Sequence, residues 1–123
     1  MSTDVRTPND GLCLACLCAA WCRLCDDYRP TFEQVAAEFE AQAPGLRPHW
    51  IDIEDDAELV GNVDIETFPT LLLADAGGVR FFGPLTPQPD TLRRLLRALV
   101  LQPPAADVDA DVQALAQRLR QRR

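Results

Sequence analysis

Apolar and polar positions follow two different periods along the chain, and each change of period marks a predicted element. Residues 12–18 are apolar at every position, which is typical of a strand buried on both faces in the middle of a sheet. From Cys22 to about residue 43 apolar residues recur at helical spacing with glutamates between them; they are Tyr28, Phe32, Val35, Ala36 and Phe39. The pattern predicts a central strand followed by an amphipathic helix that begins at a pair of cysteines.

The rest of the first hundred residues predicts a small α/β sheet domain. After a break at "APG", residues 46–53 favour a second strand and residues 55–64 a short helix. Residues 69–75 and 79–83 favour a hairpin, and residues 86–101 a helix with leucines along one face. The predicted order is β-α-β-α-β-β-α, in which an antiparallel hairpin closes a parallel first half.

The C-terminal residues predict one further helix. The segment "QPPAAD" at 102–107 breaks the preceding helix, and the sequence after it has an acidic start and several arginines at its end, which suits the helix dipole. Its apolar stripe consists of Val108, Val112, Leu115 and Leu119. We expect it to pack on its own domain rather than dock a partner. The predicted organisation is a flexible N-terminus at 1–10, a domain at 11–102 and a helical extension at 103–123.

Charge and hydropathy argue against two classes of partner. The chain has a formal charge of -7, with 19 acidic residues against 12 arginines and no lysine, so it repels nucleic acid phosphates and anionic membrane surfaces. Its longest apolar run, residues 12–22, is shorter than the roughly 20 residues of a membrane span. The residues before that run lack the positive charge of a secretory signal. We expect a cytoplasmic protein with no nucleic acid or membrane partner.

All five cysteines lie between positions 13 and 25. Cys22 and Cys25 lie where the first predicted strand ends and the helix begins, so the free amides of the first turn and the helix dipole favour the thiolate form of Cys22. Positions i and i+3 share one face of a helix, which lets Cys25 reach the Cys22 sulfur. The spacing predicts a redox-active dithiol, with Cys22 as the nucleophile and Cys25 as the resolving thiol.

Three alternatives concern the other cysteines. Cys13, Cys16 and Cys18 lie in the predicted strand, where cysteine is an ordinary small apolar residue, and this is the interpretation we favour. Cys13 and Cys16 could instead join the dithiol to hold zinc or an iron–sulfur cluster, but an extended strand places them on opposite faces. A third hypothesis is that Cys16 or Cys18 captures a disulfide from the active pair. We predict no metal and no cofactor.

Four motifs together resemble the thioredoxin superfamily. They are "WCRLC" followed five residues later by Pro30, "WIDIEDD", "FPTLLL" and "FFGPL", and the similarity runs from about residue 12 to residue 100. The resemblance implies a thioredoxin-like fold, with a central mixed four-stranded sheet flanked by helices, here with an extra C-terminal helix. It also implies a thiol–disulfide oxidoreductase that acts on protein disulfides.

The resemblance also implies a role for individual positions. Cys22 would be the attacking cysteine and Cys25 the resolving one. Pro69 would be the cis-proline that faces the dithiol, Phe68 would offer its backbone to an extended substrate segment, and Gly83 would lie on the neighbouring surface. The substrate-binding set implied in this way comprises Trp21, Arg23, Leu24, Phe68, Pro69 and Gly83. The partners would be disulfide-containing proteins and an electron donor or acceptor, and we expect a monomer.

Three features depart from the thioredoxin pattern, and the first of them makes a second function credible. Thioredoxin has a buried aspartate and a lysine that help to move protons at the resolving thiol, and the matching positions here are Cys16 and Trp50, so we expect no such relay. The dipeptide between the cysteines is Arg-Leu rather than Gly-Pro. Only ten residues precede the first strand, too few for the strand and helix that open full-length thioredoxins. The alternative is a redox-inactive binding module with a thioredoxin-like fold.

Overall fold

The computed structural model describes residues 12–19, 21–42, 46–75, 78–86, 88–100 and 108–121. The predicted flexible N-terminus at 1–10 and the predicted break at 102–107 lie outside these ranges. The described residues form eight elements in the predicted order: β1 (Cys13–Cys18), α1 (Arg23–Gln42), β2 (Arg47–Asp52), α2 (Ala57–Val60), β3 (Thr70–Asp75), β4 (Gly78–Pro84), α3 (Pro89–Val100) and α4 (Ala110–Gln121).

The four strands form one mixed sheet in the order β2-β1-β3-β4. β1 runs parallel to β2 and antiparallel to β3, and β3 and β4 form the antiparallel hairpin. All six residues of β1 are buried, because the strand is central and helices cover both faces of the sheet. The predicted mixed four-stranded sheet and the central position of the first strand are confirmed.

Alternation along β1 divides the interior into two hydrophobic cores. Leu14, Cys16 and Cys18 point to the first core, which α1 and α3 cover. The other residues of β1 point to the second core, which also contains residues of α2 and α4. Successive side chains of a strand point to opposite faces, so one fully apolar strand serves both cores.

The first core is closed by α1 and α3. Tyr28 and Phe32 of α1 pack there with Leu92 and Leu96 of α3. At the surface the guanidinium of Arg93 donates hydrogen bonds to both carboxylate oxygens of Glu38, at 2.8 and 2.9 Å. These bonds lower the pKa of Glu38 and join the two helices above the core.

The C-terminal helix α4 packs on its own domain, as its apolar stripe predicted. Its buried residues are Val112, Leu115, Ala116 and Leu119, and they belong to the second core. Arg118 donates to the carbonyls of Leu59 and Val60 at 2.7 and 3.2 Å, which ties α4 to the end of α2. In this chain the helix thus covers the second face of the sheet. None of the described helices is long and apolar enough to cross a membrane.

Candidate functional site

The site lies at the junction between β1 and α1. The Cys22 N–H donates to the carbonyl of Ala19 at 3.0 Å, and the Cys22 carbonyl accepts from the N–H of Asp26 at 3.3 Å. Cys22 therefore occupies the position directly before the first helical residue, which satisfies part of the open end of α1. Its side chain is half-buried and carries a free thiol.

Cys25 is disulfide-bonded to Cys18, with 5.9 Å between their Cα atoms. Both residues are 1% exposed and lie in the first core. The last residue of β1 points into this core, and the first turn of α1 brings Cys25 over it, so the two side chains meet across the junction. The expectation that Cys18 is only a small apolar residue is wrong, and the predicted contact between Cys25 and Cys22 is replaced here by a bond to Cys18.

The other two strand cysteines lie on opposite faces of the sheet. Cys13 belongs to the second core, whereas Cys16 belongs to the first, as the strand geometry predicted. The sulfurs of Cys16 and Cys18 are 3.7 Å apart, and Cys16 is the donor because Cys18 has no proton in its disulfide. A cage of four cysteines cannot include Cys13 from the other face. Within the described ranges no group of three or more His, Cys, Asp or Glu side chains is placed to hold a metal ion.

Beside Cys16 lies a buried tyrosine that the sequence pattern identified only as an apolar helix position. The hydroxyl of Tyr28 is buried and has no hydrogen-bond partner among the described residues. Burial raises the pKa of the Cys16 thiol, so it stays protonated at neutral pH. Burial also raises the pKa of Tyr28, with a further contribution from the negative charge that Cys16 would carry as a thiolate. Trp50 is the strand neighbour of Cys16, so the two positions at which the resemblance implies a missing proton relay pair with each other across β1 and β2.

These buried groups predict a loss of stability at alkaline pH. The ordinary pKa values are 9.0 for cysteine and 10.0 for tyrosine. Above these values the unfolded chain releases protons that the folded protein keeps, so the free energy of unfolding falls as pH rises. Each group contributes up to about 1.4 kcal/mol per pH unit. Urea denaturation between pH 8 and pH 11 should show this fall, and Cys16→Ala should reduce its slope; equal slopes in both proteins would contradict the assignment.

Exposed apolar side chains lie next to Cys22 in the chain. Trp21 is 66% exposed and Leu24 is 43% exposed, and the Trp21 ring packs edge-on against Phe68 with 5.5 Å between ring centroids. The peptide bond between Phe68 and Pro69 is cis. Exposed apolar side chains that contact one another mark interaction surfaces more often than single exposed apolar side chains do. The structure thus brings Trp21 and Phe68 together at the predicted site.

The other predicted substrate-binding residues are Arg23, Pro69 and Gly83. Arg23 is exposed at the start of α1. Pro69 is buried directly before β3, and its carbonyl accepts the Leu85 N–H at 3.2 Å. Gly83 pairs with Leu71 of β3 and is half-buried. Gly83 is therefore near the same end of the hairpin as Pro69.

A carboxylate-lined groove of about 320 Å³ adjoins Cys25. The guanidinium of Arg29 lies over the Trp50 ring at 5.3 Å from its centroid. The groove's acidic residues are Asp26, Asp52, Asp55 and Asp56. Asp52 also has a local structural role, because its carboxylate accepts the N–H groups of Glu54 and Asp55 at 2.8 and 3.1 Å. The groove adds negative charge close to the buried disulfide.

A comparison with protein families identifies the group to which this arrangement belongs. The family described as Thioredoxin matches residues 2–89, which includes the cysteine junction, the cis-proline and the hairpin. The chain belongs to the thioredoxin family. No curated protein was found that matches this thioredoxin-family chain significantly.

Solved structures of thioredoxins share the fold. The germline-specific thioredoxin Deadhead of Drosophila melanogaster superposes with a TM-score of 0.62 at 17% identity, over 75% of this chain and 84% of that one. The thioredoxin of Trypanosoma brucei brucei superposes with a TM-score of 0.59 at 26% identity, over 74% and 76%. Human ERp44 gives 0.64 at 20% identity, over 78% of this chain but only 30% of its own length. The predicted thioredoxin-like fold is confirmed.

Proposed function

We propose that the chain is a thiol–disulfide oxidoreductase that exchanges disulfides with protein partners through Cys22 and Cys25. The observation that carries the proposal is the placement of Cys22, a free half-buried thiol directly before α1, beside the exposed Trp21 and three residues from a buried cysteine. An accessible thiol with a second thiol in reach is the arrangement that disulfide exchange needs. Membership of the thioredoxin family supports the same chemistry.

The proposed cycle begins with Cys22 and Cys25 reduced. The Cys22 thiolate attacks a partner disulfide, a Cys22–partner bond forms, and the other partner sulfur leaves as a thiolate that takes up a proton. Cys25 then attacks the Cys22 sulfur, the Cys22–Cys25 bond forms, and the second partner sulfur leaves. The partner gains two electrons and the protein loses two, so an electron donor must reduce the site again.

The surface chemistry supports protein partners rather than anionic small molecules. Trp21, Leu24 and Phe68 offer an apolar area on which an extended segment could pack, and the backbone at Phe68 and Pro69 lies next to it. The carboxylates around the groove beside Cys25 repel negatively charged partners. We further propose that the protein works in the cytoplasm, where a free thiol such as that of Cys22 persists.

Cys25→Ser provides the test of this proposal, because it removes the resolving thiol and leaves the attacking one. With a disulfide-bonded peptide as the substrate, the variant should accumulate a mixed disulfide between Cys22 and the peptide, at one peptide per chain. Non-reducing mass spectrometry after acid quenching measures the adduct. The wild-type protein should show little adduct and release reduced peptide.

Cys13→Ala is the matched control for this experiment, since Cys13 is a buried cysteine of β1 that belongs to the second core, on the opposite face of the sheet from Cys25. It should release reduced peptide like the wild-type protein. Release of reduced peptide by Cys25→Ser at the wild-type rate would contradict the roles assigned to the two cysteines.

A redox-inactive binding module is the second candidate, and the bond between Cys18 and Cys25 favours it. With Cys25 held in that bond, Cys22 has no resolving thiol, and Cys16 and Trp50 replace the ionisable pair of thioredoxin. A binding module would hold this disulfide permanently and bind the peptide without forming the mixed disulfide. Formation of the mixed disulfide between Cys22 and the peptide in Cys25→Ser distinguishes the exchange enzyme from such a module.

A further inference from the structure

We infer that Cys18 is a third redox-active cysteine, and that the disulfide of the site moves between a Cys22–Cys25 pair and a Cys18–Cys25 pair. The inference rests on the proposed function, because it takes Cys22 and Cys25 as the exchanging thiols. It adds a catalytic residue from β1 to the two that the cysteine motif contains.

The geometry gives Cys25 two partners. Its Cα atom lies 5.9 Å from that of Cys18, within the usual range for disulfides. Cys22 lies three residues before it, directly before the first residue of the same helix, and side chains at this spacing lie on one helix face. Cys22 has a free thiol while Cys18 and Cys25 are bonded. Cys25 is therefore the sulfur common to both pairs.

The exchange between the two pairs needs no external oxidant or reductant. The Cys22 thiolate attacks the Cys25 sulfur, the Cys22–Cys25 bond forms, and the Cys18–Cys25 bond breaks. Cys18 leaves as a thiolate and takes up one proton, which balances the proton that Cys22 lost. The reverse step returns the disulfide to the interior and regenerates the Cys22 thiol.

Cys16 faces the sulfur that changes charge in this step. Its thiol is the donor at 3.7 Å from the Cys18 sulfur, so it is directed at the thiolate that forms when Cys18 leaves. Because burial keeps Cys16 protonated, it can stabilise the leaving thiolate but does not compete as a nucleophile. The transfer of the disulfide into the core therefore ends at Cys18.

The consequence is an oxidised protein with a free thiol at its surface. Cys18 and Cys25 are each 1% exposed, so their disulfide presents almost no surface to external thiols. Cys22 is half-buried beside the exposed Trp21, and electrons from a donor must enter through it. An exchange site with Cys22 and Cys25 alone has no accessible thiol once it is oxidised.

Differential alkylation of the oxidised wild-type protein tests the inference. The protein is oxidised by two electrons, quenched in acid, and its free thiols are labelled in denaturant with N-ethylmaleimide; the disulfide is then reduced and labelled with a heavier maleimide. The heavy label is expected on Cys18 and Cys25. Heavy label on Cys22 and Cys25, with none on Cys18, would overturn the inference.

Cys18→Ala supplies a second measurement on the native protein. Oxidised wild-type protein should react rapidly with one equivalent of maleimide at Cys22, and oxidised Cys18→Ala should lose this reactive thiol because its disulfide must be Cys22–Cys25. Cys18→Ala cannot form the Cys18–Cys25 disulfide, and the loss of this oxidised form should also lower the equilibrium constant for oxidation at least twofold. The control Cys13→Ala should label like the wild-type protein; unchanged labelling of Cys18→Ala would overturn the inference.

The two proposals can fail separately. Heavy label on Cys18 with no exchange of a peptide disulfide would refute the proposed function and leave a buried structural disulfide. Exchange of the peptide disulfide with heavy label only on Cys22 and Cys25 would support the proposed function and refute the role of Cys18.

Discussion

Replacing Cys22 by serine is expected to reduce the exchange of a peptide disulfide to the rate measured without the protein. The hydroxyl of serine is not ionised at neutral pH, whereas exchange requires a thiolate as the attacking group. Cys22 is the accessible member of the cysteine cluster: Cys18 and Cys25 lie in the core and are bonded to each other. Their thiols are too deeply buried to replace Cys22. Release of a fluorescent thiol from a disulfide-linked peptide, with dithiothreitol as the donor, measures the effect.

The control for Cys22→Ser is a variant in which serine replaces a cysteine outside the site. Cys13→Ser changes the same atom on the opposite face of β1, so it reports any general effect on the fold while leaving the reacting cysteines intact. Both variants should be compared at equal folded fractions, measured by circular dichroism. Exchange by Cys22→Ser at a rate near that of the wild-type protein would show that another group attacks the substrate.

Leu115→Ala in α4 is expected to lower the free energy of unfolding by about 2–5 kcal/mol. Leu115 is 1% exposed and packs in the second core with residues of the central strands. Truncation leaves a cavity between α4 and the sheet, and this helix is held to the domain through its buried stripe and the Arg118 bonds to the end of α2. Urea denaturation at neutral pH, under fixed redox conditions, measures the change.

Gln117→Ala is the matched control on the same helix, because Gln117 is exposed two residues after Leu115. Its effect should stay within about 0.5 kcal/mol, as is usual for surface substitutions. If Leu115→Ala changed stability no more than Gln117→Ala, α4 would not contribute to the core as the structure indicates.

The pattern of apolar positions was sufficient to predict the elements and their order. A strand that is apolar at every position had to be covered on both faces, and β1 lies between β2 and β3 with both cores against it. The helical spacing after Cys22 placed Tyr28 and Phe32 on the buried face of α1. Such periodicities report which side of an element is buried, and they depend only on local sequence.

The pairing of the cysteines depends on contacts that local sequence does not contain. The spacing rule for helices compares residues within one helix, so it related Cys25 only to Cys22. The bond between Cys18 and Cys25 joins the end of a strand to the first turn of the next helix. Predicting this bond requires knowledge of the direction in which that helix leaves the sheet. The hypothesis that Cys18 captures a disulfide from the pair named a cysteine that does bond to Cys25. No geometric argument from the sequence supported that hypothesis.

The buried hydroxyl of Tyr28 was missed for a similar reason. Its position in the helical pattern indicated an apolar side chain, and the ring does pack in the first core. The polar end of the ring comes close to Cys16 only because α1 crosses over β1. The apolar stripe of α4 likewise predicted a packed helix, whereas the face that it covers became apparent only from the sheet topology.

The most direct test of the central claim is an equilibrium redox titration of the wild-type chain in graded dithiol buffers, with thiol trapping and mass measurement. The account predicts one reversible two-electron step in which two thiols are lost per chain, and its absence in Cys25→Ser, because both disulfides contain Cys25. A potential of about -270 mV would indicate a reductant of protein disulfides, and one of about -120 to -180 mV an oxidant or isomerase. A chain that shows no reversible two-electron step would contradict the proposed exchange function.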